Sequence, residues 1–308
     1  MYLTARSGIH RAMAAGIRHI EGAAVHTVGS GPGIVLLHAN GGDSTDFAAI
    51  QPHLARSATV HAVDWPGWGC SGSEVPPTAL GYAALLPTLL ERLTGGPFVL
   101  LGNSVGGFAA IAAAARRPDL VRGLVLVNPG GFTRPSLTMS MTCRAIGSAY
   151  MAPAMMRLLP LLYLRRTTPA VQAIRANAVA MSRQPERVAA FASVWRSFAV
   201  EGHDATKLAT RIVAPTLLVW GRRDPVLPWF LDGQRARRSL HGAQVVLFPC
   251  GHQAFAEMPE AFLAALEPFL ASIPPGAIAP RDAAAPFARE AGSDPSNGRS
   301  PEATGAPS

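Results

Sequence analysis

The chain has 308 residues, of which 49% are apolar and 15% are charged, and its formal net charge is +8. A chain of this length and apolar content can bury a large core, and it contains no unbroken run of 18 apolar residues that would predict a membrane-spanning helix. Almost all of the positive charges are arginines dispersed along the chain without interleaved aromatic residues, which argues against a nucleic-acid partner.

The cysteines and the first residues indicate the compartment. Cys70, Cys143 and Cys250 are too few and too widely spaced for a disulfide framework or a paired metal site. Residues 1–21 carry basic side chains but no continuous apolar core, so they do not resemble a secretory signal. We therefore expect a cytoplasmic protein that uses neither a metal nor a cofactor.

The first third of the chain predicts strands that alternate with helices. Residues 1–18 are interpreted as a loose lead, and 19–28 as a hairpin that turns at Glu21-Gly22. The next predicted elements are an apolar strand at 34–38, a helix at 45–55, a strand at 59–63, a glycine-rich turn at 64–72 and a helix at 82–93. Apolar strands that alternate with helices predict an α/β fold with a parallel sheet covered on both faces.

The segment that follows organises the rest of the sequence. An apolar run at 97–101 stops at Gly102-Asn103-Ser104-Val105-Gly106, and an alanine-rich helical stretch begins at once. This pattern predicts a strand, a tight turn and a helix, with the serine at the apex of the turn. The backbone of such a serine is strained, and its hydroxyl lies above the end of the sheet. Gly102 and Gly106 must be small because the strand and the helix cross closely. We predict that Ser104 is a nucleophile.

The alternation of strands and helices stops between residues 131 and 210. This region is mainly helical, holds six of the nine methionines and predicts a helical cap inserted over the carboxyl edge of the sheet. Ordinary core helices are the alternative. The core domain is therefore predicted to comprise 19–130 and 211–273, with strands at 216–220 and 244–248 and a last helix at 259–271. Residues 274–308, rich in proline, alanine, glycine and serine, are predicted to be a disordered tail.

Two further residues complete a candidate catalytic set with Ser104. A serine nucleophile needs a base that takes its proton and a carboxylate that orients the base. Asp224 follows the strand at 216–220, and His252 follows the last strand, so both lie in turns at the carboxyl edge of the sheet. The chain order serine, aspartate, histidine is the one that a doubly wound sheet supplies.

The competing residues have weaker positions. His38 also ends a strand, but it leads the loop that should supply backbone donors, so we expect a structural or pocket role. His203 lies in or near the cap, and Asp43 and Asp64 come too early in the chain for this order. A developing oxyanion needs two preorganised donors. We predict that these are the backbone N–H groups of Val105 and Asn40.

These segments together resemble the α/β-hydrolase superfamily over about residues 18–272. The matching segments are His38-Ala39-Asn40-Gly41, residues 64–71, Gly102-Asn103-Ser104-Val105-Gly106-Gly107, Gly221-Arg222-Arg223-Asp224 and Gly251-His252. The resemblance implies an eight-stranded, mostly parallel, doubly wound sheet, a Ser104–His252–Asp224 triad and a helical lid. It argues against epoxide hydrolases and haloalkane dehalogenases, which have an aspartate where Ser104 stands.

Three functions are carried forward. The first is a serine hydrolase that forms an acyl-enzyme with a small to medium, largely apolar ester, in a pocket made by Trp68, Phe132, Trp229 and cap residues. The second is a hydrolase that splits carbon–carbon bonds in ring-cleavage products. Residues 127–132 are similar to the corresponding segment of such enzymes, although those enzymes usually have a tryptophan at the position of Gln253. The third is a ligand-binding protein without catalysis on the same scaffold.

The carbon–carbon alternative makes one specific demand on the cap. An arginine there, such as Arg165, Arg166 or Arg175, would have to pair with the substrate carboxylate. In each of the three cases the expected partner is a small molecule, and the sequence does not determine the oligomeric state.

Overall fold

The computed structural model describes residues 16–72, 77–200 and 202–274. Eight strands form one sheet in these ranges. They are β1 Ile17–Ile20, β2 Ala23–Val28, β3 Gly33–Leu37, β4 Thr59–Asp64, β5 Phe98–Asn103, β6 Val121–Val127, β7 Thr216–Gly221 and β8 Gln244–Phe248. The central strands β3, β5 and β7 are buried along their whole length, as their unbroken apolar runs require.

The strand order across the sheet is β1-β2-β4-β3-β5-β6-β7-β8. The pairs β1–β2 and β2–β4 are antiparallel, and the five remaining pairs are parallel. The carboxyl ends of β3, β5, β6 and β7 therefore meet at one edge of the sheet. Apolar clusters cover both faces of the sheet, so the prediction of a mostly parallel, doubly wound, eight-stranded α/β fold is confirmed.

The helices of the described ranges are numbered here in chain order. They are α1 Gln51–Leu54, α2 Ala79–Glu91, α3 Val105–Arg116, α4 Leu137–Ile146, α5 Ala152–Tyr163, α6 Pro169–Met181, α7 Pro185–Ser197, α8 Thr206–Ala209, α9 Gln234–Ser239, α10 Ala254–Glu257 and α11 Pro259–Ser272. Helix α3, which follows β5, is buried from Val105 to Ala115 because alanines and glycines let it pack directly on the sheet.

Several predicted boundaries differ from the structure. The helix predicted at 45–55 is a 3₁₀ turn, Ser44–Phe47, followed by the short α1, because Pro52 lies in the first turn of α1 and its ring fits only there. The helix predicted to start at Trp229 begins as a π-helical turn, Trp229–Gly233, before α9. The hairpin is present, but its first strand begins at Ile17, inside the predicted lead.

Helices α4 to α8 occupy the segment between β6 and β7, and we call residues 131–210 the helical insertion. In the described part of that segment no strand joins the sheet. The predicted tail, 274–308, and the first 15 residues of the predicted lead lie outside the described residues, apart from Pro274. None of the helices that the structure describes is both long and apolar enough to cross a bilayer.

Candidate active site

Ser104 lies at the sharp turn between β5 and α3. Its backbone has φ 54° and ψ −118°, a conformation that L-residues rarely adopt. The turn is held by the Ser104 N–H, which donates to Val127 O at 3.2 Å, and by the Ser104 carbonyl, which accepts from Gly130 N–H at 2.8 Å. The strain is therefore maintained by the neighbouring strand β6, and it directs the serine side chain out of the sheet edge.

The two glycines of the turn are required by contact distances. A Cβ at Gly102 would lie 2.5 Å from Gly106 O, and a Cβ at Gly106 would overlap the carbonyl group of Leu37. Both positions therefore exclude a side chain, as the sequence predicts. Because Gly106 packs against the end of β3, α3 begins directly beside the loop that follows His38.

Asp224 and His252 form a hydrogen-bonded pair at the same edge of the sheet. His252 Nδ1 lies 2.5 Å from Asp224 Oδ2, and both side chains are buried. Since Nδ1 carries the proton of this bond, Nε2 of the neutral ring has the free lone pair. Ser104 and His252 both lie in the wall of the same cavity. The structure thus brings the three residues predicted from sequence to one site.

Two asparagines that the sequence analysis missed brace this pair. Asn128 Nδ2 donates to Asp224 Oδ2 at 2.7 Å, and Asn128 Oδ1 accepts from Gly221 N–H at 2.9 Å. Asn103 Nδ2 donates to His252 O at 3.0 Å and to Val127 O at 2.8 Å. Asn103 is the last residue of β5 and Asn128 directly follows β6, and a polar residue at the end of a buried strand is the signal that could have identified them.

Glu257 holds the His252 loop to the helical insertion. Its buried carboxylate accepts from the backbone N–H groups of Gly251 (3.0 and 3.1 Å) and Gln253 (3.3 Å). The same carboxylate accepts from Arg165 N–H at 2.7 Å and Arg166 N–H at 3.0 Å. His252 N–H also donates to the carbonyl of Tyr163, the last residue of α5, at 2.9 Å. The backbone that carries His252 is therefore anchored on both sides.

A second buried carboxyl group lies behind the His252 loop. Asp46 Oδ2 is 3.5 Å from Gln253 Nε2, whereas Asp46 Oδ1 and Gln253 Oε1 have no hydrogen-bond partner. Burial, together with the nearby charge of Asp43, raises the pKa of Asp46 well above its ordinary value. In the folded protein Asp46 therefore keeps its proton to a higher pH than an exposed aspartate does.

His38 has a structural role, as the sequence analysis expected. Its Nδ1 donates to Ala39 O at 2.7 Å, and its Nε2 accepts from Trp65 N–H at 3.1 Å, so the ring is a neutral tautomer with both nitrogens engaged. Burial lowers the pKa of His38 and keeps it uncharged. His38 thus ties the loop that contains Asn40 to the end of β4.

The predicted oxyanion donors lie beside Ser104. Asn40 and Gly41 line the same cavity as Ser104, and the Asn40 side chain donates to Phe191 O on α7 at 3.3 Å. Val105 is the first residue of α3, so its N–H has no acceptor within the helix. Val105 thus has a helix-terminal N–H directly after Ser104, and Asn40 lies in the wall of the same cavity.

A cavity of about 1130 Å³ separates this site from the helical insertion. Its wall includes Ser104, His252, Met139, Met156, Phe191 and Trp195. Most of this wall is apolar, and the helical insertion contributes most of its residues. The volume accommodates a ligand of medium size.

The three aromatic residues predicted to form the pocket lie elsewhere, so this prediction is wrong. Trp68 is fully buried, and its indole donates to the Tyr82 hydroxyl at 2.9 Å. Phe132 is fully buried, and Trp229 packs on Trp220 with ring centroids 5.8 Å apart. None of the three lines the cavity. Its aromatic wall is formed by Tyr163, Phe191, Trp195 and Phe198 of the insertion.

The polar groups of the cavity wall are neutral or acidic. His203 donates from Nδ1 to Val200 O at 3.0 Å, its Nε2 has no partner, and burial lowers its pKa. Arg175 donates to Leu164 O at 2.7 Å and Arg165 to Arg223 O at 3.4 Å. Among the described residues, no lysine or arginine lines this cavity. The arginines that a carboxylate substrate would need are therefore not in its wall.

One cluster elsewhere has the composition of a metal site. Ligand atoms of His26, Asp64 and Cys70 lie within 4.8 Å of one another. Asp64 Oδ1 accepts from Ser44 N–H at 2.7 Å, and Oδ2 accepts from Cys70 N–H at 2.8 Å and His26 Nε2 at 2.9 Å. These bonds hold the glycine-rich turn after β4, so Asp64 has the structural role that its place in the sequence indicates.

Comparison with known proteins gives three similarities. A family model described as alpha/beta hydrolase family matches residues 34–265. The 2-hydroxy-6-oxononadienedioate/2-hydroxy-6-oxononatrienedioate hydrolase of Cupriavidus pinatubonensis is 30% identical over 260 residues, which cover 77% of this chain and 87% of that protein. A thermophilic esterase from Thermogutta terrifontis matches with a TM-score of 0.71 and 24% identity, over 82% of this chain and 93% of the esterase. At that identity the likeness to the esterase is one of fold.

Proposed function

The chain belongs to the alpha/beta hydrolase family, and from that premise we propose that it is a serine hydrolase of small to medium, largely apolar esters. The hydrogen bond between His252 Nδ1 and Asp224 Oδ2, in a cavity that also exposes Ser104, carries this proposal. Asp224 orients the ring, and the ring presents the lone pair of Nε2 as the base.

The proposed reaction has two halves. Ser104 Oγ attacks the ester carbonyl while His252 Nε2 takes the hydroxyl proton, and the N–H groups of Asn40 and Val105 stabilise the oxyanion. His252 then gives that proton to the leaving alkoxide, which departs as an alcohol and leaves an acyl group on Ser104. A water molecule then attacks the acyl carbonyl while His252 takes its proton, and His252 passes that proton to Ser104 Oγ as the acyl–serine bond breaks, which releases the acid and restores the enzyme.

The helical insertion acts in this proposal as the cap that selects the acyl group. Its residues form most of the apolar wall, and the cavity volume exceeds what a short acyl group fills. Each methylene moved from water into such a wall contributes about 0.8 kcal/mol, or about fourfold in kcat/KM. We expect kcat/KM for p-nitrophenyl esters to rise from acetate through medium chains, and then to fall when the cavity is full.

The direct test is the substitution Ser104→Ala. We expect it to abolish turnover of p-nitrophenyl esters and labelling by a fluorophosphonate, while circular dichroism and the melting temperature stay close to those of the parent. Unchanged labelling would refute the role of Ser104. If the unsubstituted protein binds an apolar ester tightly without turnover, the ligand-binding alternative replaces the enzyme proposal.

A carbon–carbon hydrolase is the second candidate, because the relative from Cupriavidus pinatubonensis is named for a dienedioate and a trienedioate. A dioate has two carboxylates, and a buried carboxylate needs a cationic or hydrogen-bonding partner. The cavity wall has no lysine or arginine among the described residues. We therefore favour the uncharged ester, and an assay of a vinylogous diketone acid beside an ester separates the two.

A further inference from the structure

Helix α5 carries apolar residues on both of its faces. At about 100° per residue, Met156, Leu159 and Tyr163 fall on the inward side, and all three line the cavity. The outward side carries three leucines that are about half exposed. Leu158, Leu161 and Leu162 are 45%, 53% and 52% exposed. A helix on a water-facing surface normally places polar residues there, so this leucine stripe indicates a partner.

The charged residues in the sequence around the stripe are all basic. The sequence contains no aspartate or glutamate between Asp119 and Glu186, a span that covers α4, α5 and α6. Arginines flank the leucines directly, with Arg157 on the same side of the helix and Arg165 and Arg166 just after it. These three arginines are exposed, as are Arg134, Arg144 and Arg183 of the same span.

We propose that this face, made of Leu158, Leu161, Leu162 and the flanking Arg157, Arg165 and Arg166, docks on the surface of an anionic phospholipid bilayer. Leucines on one side of a helix enter the boundary between headgroups and acyl chains, and arginines beside them bind lipid phosphates. We call these six residues the docking face. The positive charge of the docking face is complementary to an anionic bilayer and not to a neutral one.

Two other occupants fit the face less well. A second copy of the chain, related by a two-fold axis, would bring two copies of this arginine-rich face together, with no acidic residue of the same span to pair with the arginines. A nucleic acid would engage the arginines but would leave three leucines without an apolar partner. A bilayer is the surface that satisfies both the charge and the apolar stripe.

Docking would place one wall of the cavity against the lipid. Four residues of the docking face and four residues of the cavity wall lie on α5, so the cavity lies about one helix diameter from the bilayer. The inference does not depend on the proposed chemistry, since the Ser104→Ala protein retains the entire docking face and should bind vesicles as the parent does.

The experiment is flotation of the full chain with vesicles. We expect binding to vesicles made of equal parts of phosphatidylglycerol and phosphatidylcholine, weakening as salt is added, and little binding to phosphatidylcholine alone. The triple substitution Leu158→Gln, Leu161→Gln, Leu162→Gln should lower the partition coefficient at least tenfold. Its matched control is Val213→Gln with Leu247→Gln, two exposed positions on the core domain, which should bind as the parent does.

A second pair of variants tests the charge. Arg157→Gln with Arg166→Gln should weaken binding by about fivefold for each charge removed. The control Arg237→Gln with Arg238→Gln removes two exposed charges of α9 and should change binding much less. Melting temperatures close to that of the parent would show that every variant is folded.

Four results would overturn the proposal. The first is no binding to the anionic vesicles, and the second is equal binding by the triple leucine variant. The third is a dimer in solution, measured by light scattering, that the leucine substitutions convert to a monomer, because the face would then be a contact between copies. The fourth is competition by duplex DNA: if DNA displaces the vesicles, and the leucine substitutions do not change the binding of DNA, the face recognises a polyanion.

Discussion

Glu257 offers the sharpest test of how the His252 loop is held. Glu257→Gln keeps the shape of the side chain but replaces one carboxylate oxygen with an amide NH₂ group. Oε1 accepts from Gly251 and Gln253, and Oε2 accepts from Gly251, Arg165 and Arg166. Whichever oxygen is replaced, at least two backbone N–H groups then face a donor.

The magnitude follows from those bonds. A hydrogen bond to a charged group contributes about 1.5 to 3 kcal/mol, so two of them correspond to about 3 to 6 kcal/mol in the free energy of unfolding. At about 2 to 4 °C for each kcal/mol, the melting temperature should fall by at least about 6 °C. Because Gly251 and Gln253 flank His252, we also expect kcat to fall about tenfold or more, with a smaller change in KM.

The assay combines thermal unfolding with ester kinetics. Glu260→Gln is the matched control, because Glu260 is exposed in the first turn of α11 and should tolerate the change. If Glu257→Gln melts within about 2 °C of the parent and keeps its kcat, the five backbone bonds do not hold the loop and the reasoning is wrong.

Two further predictions concern Asp46 and the serine turn. Burial and the charge of Asp43 raise the pKa of Asp46 in the folded protein above its unfolded value of 3.8. At a pH between the unfolded and the folded pKa, the folded protein therefore binds more protons than the unfolded chain. The free energy of unfolding should therefore fall as pH rises through that window. In urea titrations, Asp46→Asn should remove this pH dependence and should be more stable than the parent at alkaline pH. Parallel pH profiles of the two proteins would contradict this prediction. Gly106→Ala should give insoluble or inactive protein because the new methyl group would overlap the carbonyl group of Leu37. Gly72→Ala is the control and should fold and react normally, because a Cβ at Gly72 would have no heavy atom within 4 Å. A soluble, fully active Gly106→Ala protein would refute the packing argument.

The fold and the central residues of the site followed from the sequence because their signals are local. A buried strand ended by Gly-x-Ser-x-Gly and a helix places Ser104 at the end of the sheet, whatever the rest of the chain does. Asp224 and His252 followed because each comes directly after a buried strand. The parallel sheet then brings the three ends to one edge, and the register of β5 with β6 fixes Asn103 beside Val127.

The pocket could not be predicted because its wall depends on how helices of the insertion pack on the core. Trp68 lies in the glycine-rich turn after β4, yet its indole N–H donates to the Tyr82 hydroxyl and the ring is buried in the core. The bonds of Glu257 join segments about 90 residues apart. Neither kind of long-range contact leaves a periodicity that a single sequence reveals.

The attachment of the helical insertion at the His252 loop has a mechanical consequence. With Tyr163 bonded to His252, and with Glu257 bonded to the turn after α5, this end of the insertion behaves as a fixed hinge. We therefore expect any widening of the cavity that leaves the base in place to occur at α4, where Leu137 borders the cavity and is 78% exposed. Amide hydrogens in α4 should therefore exchange with solvent faster than those of Arg165 and Arg166.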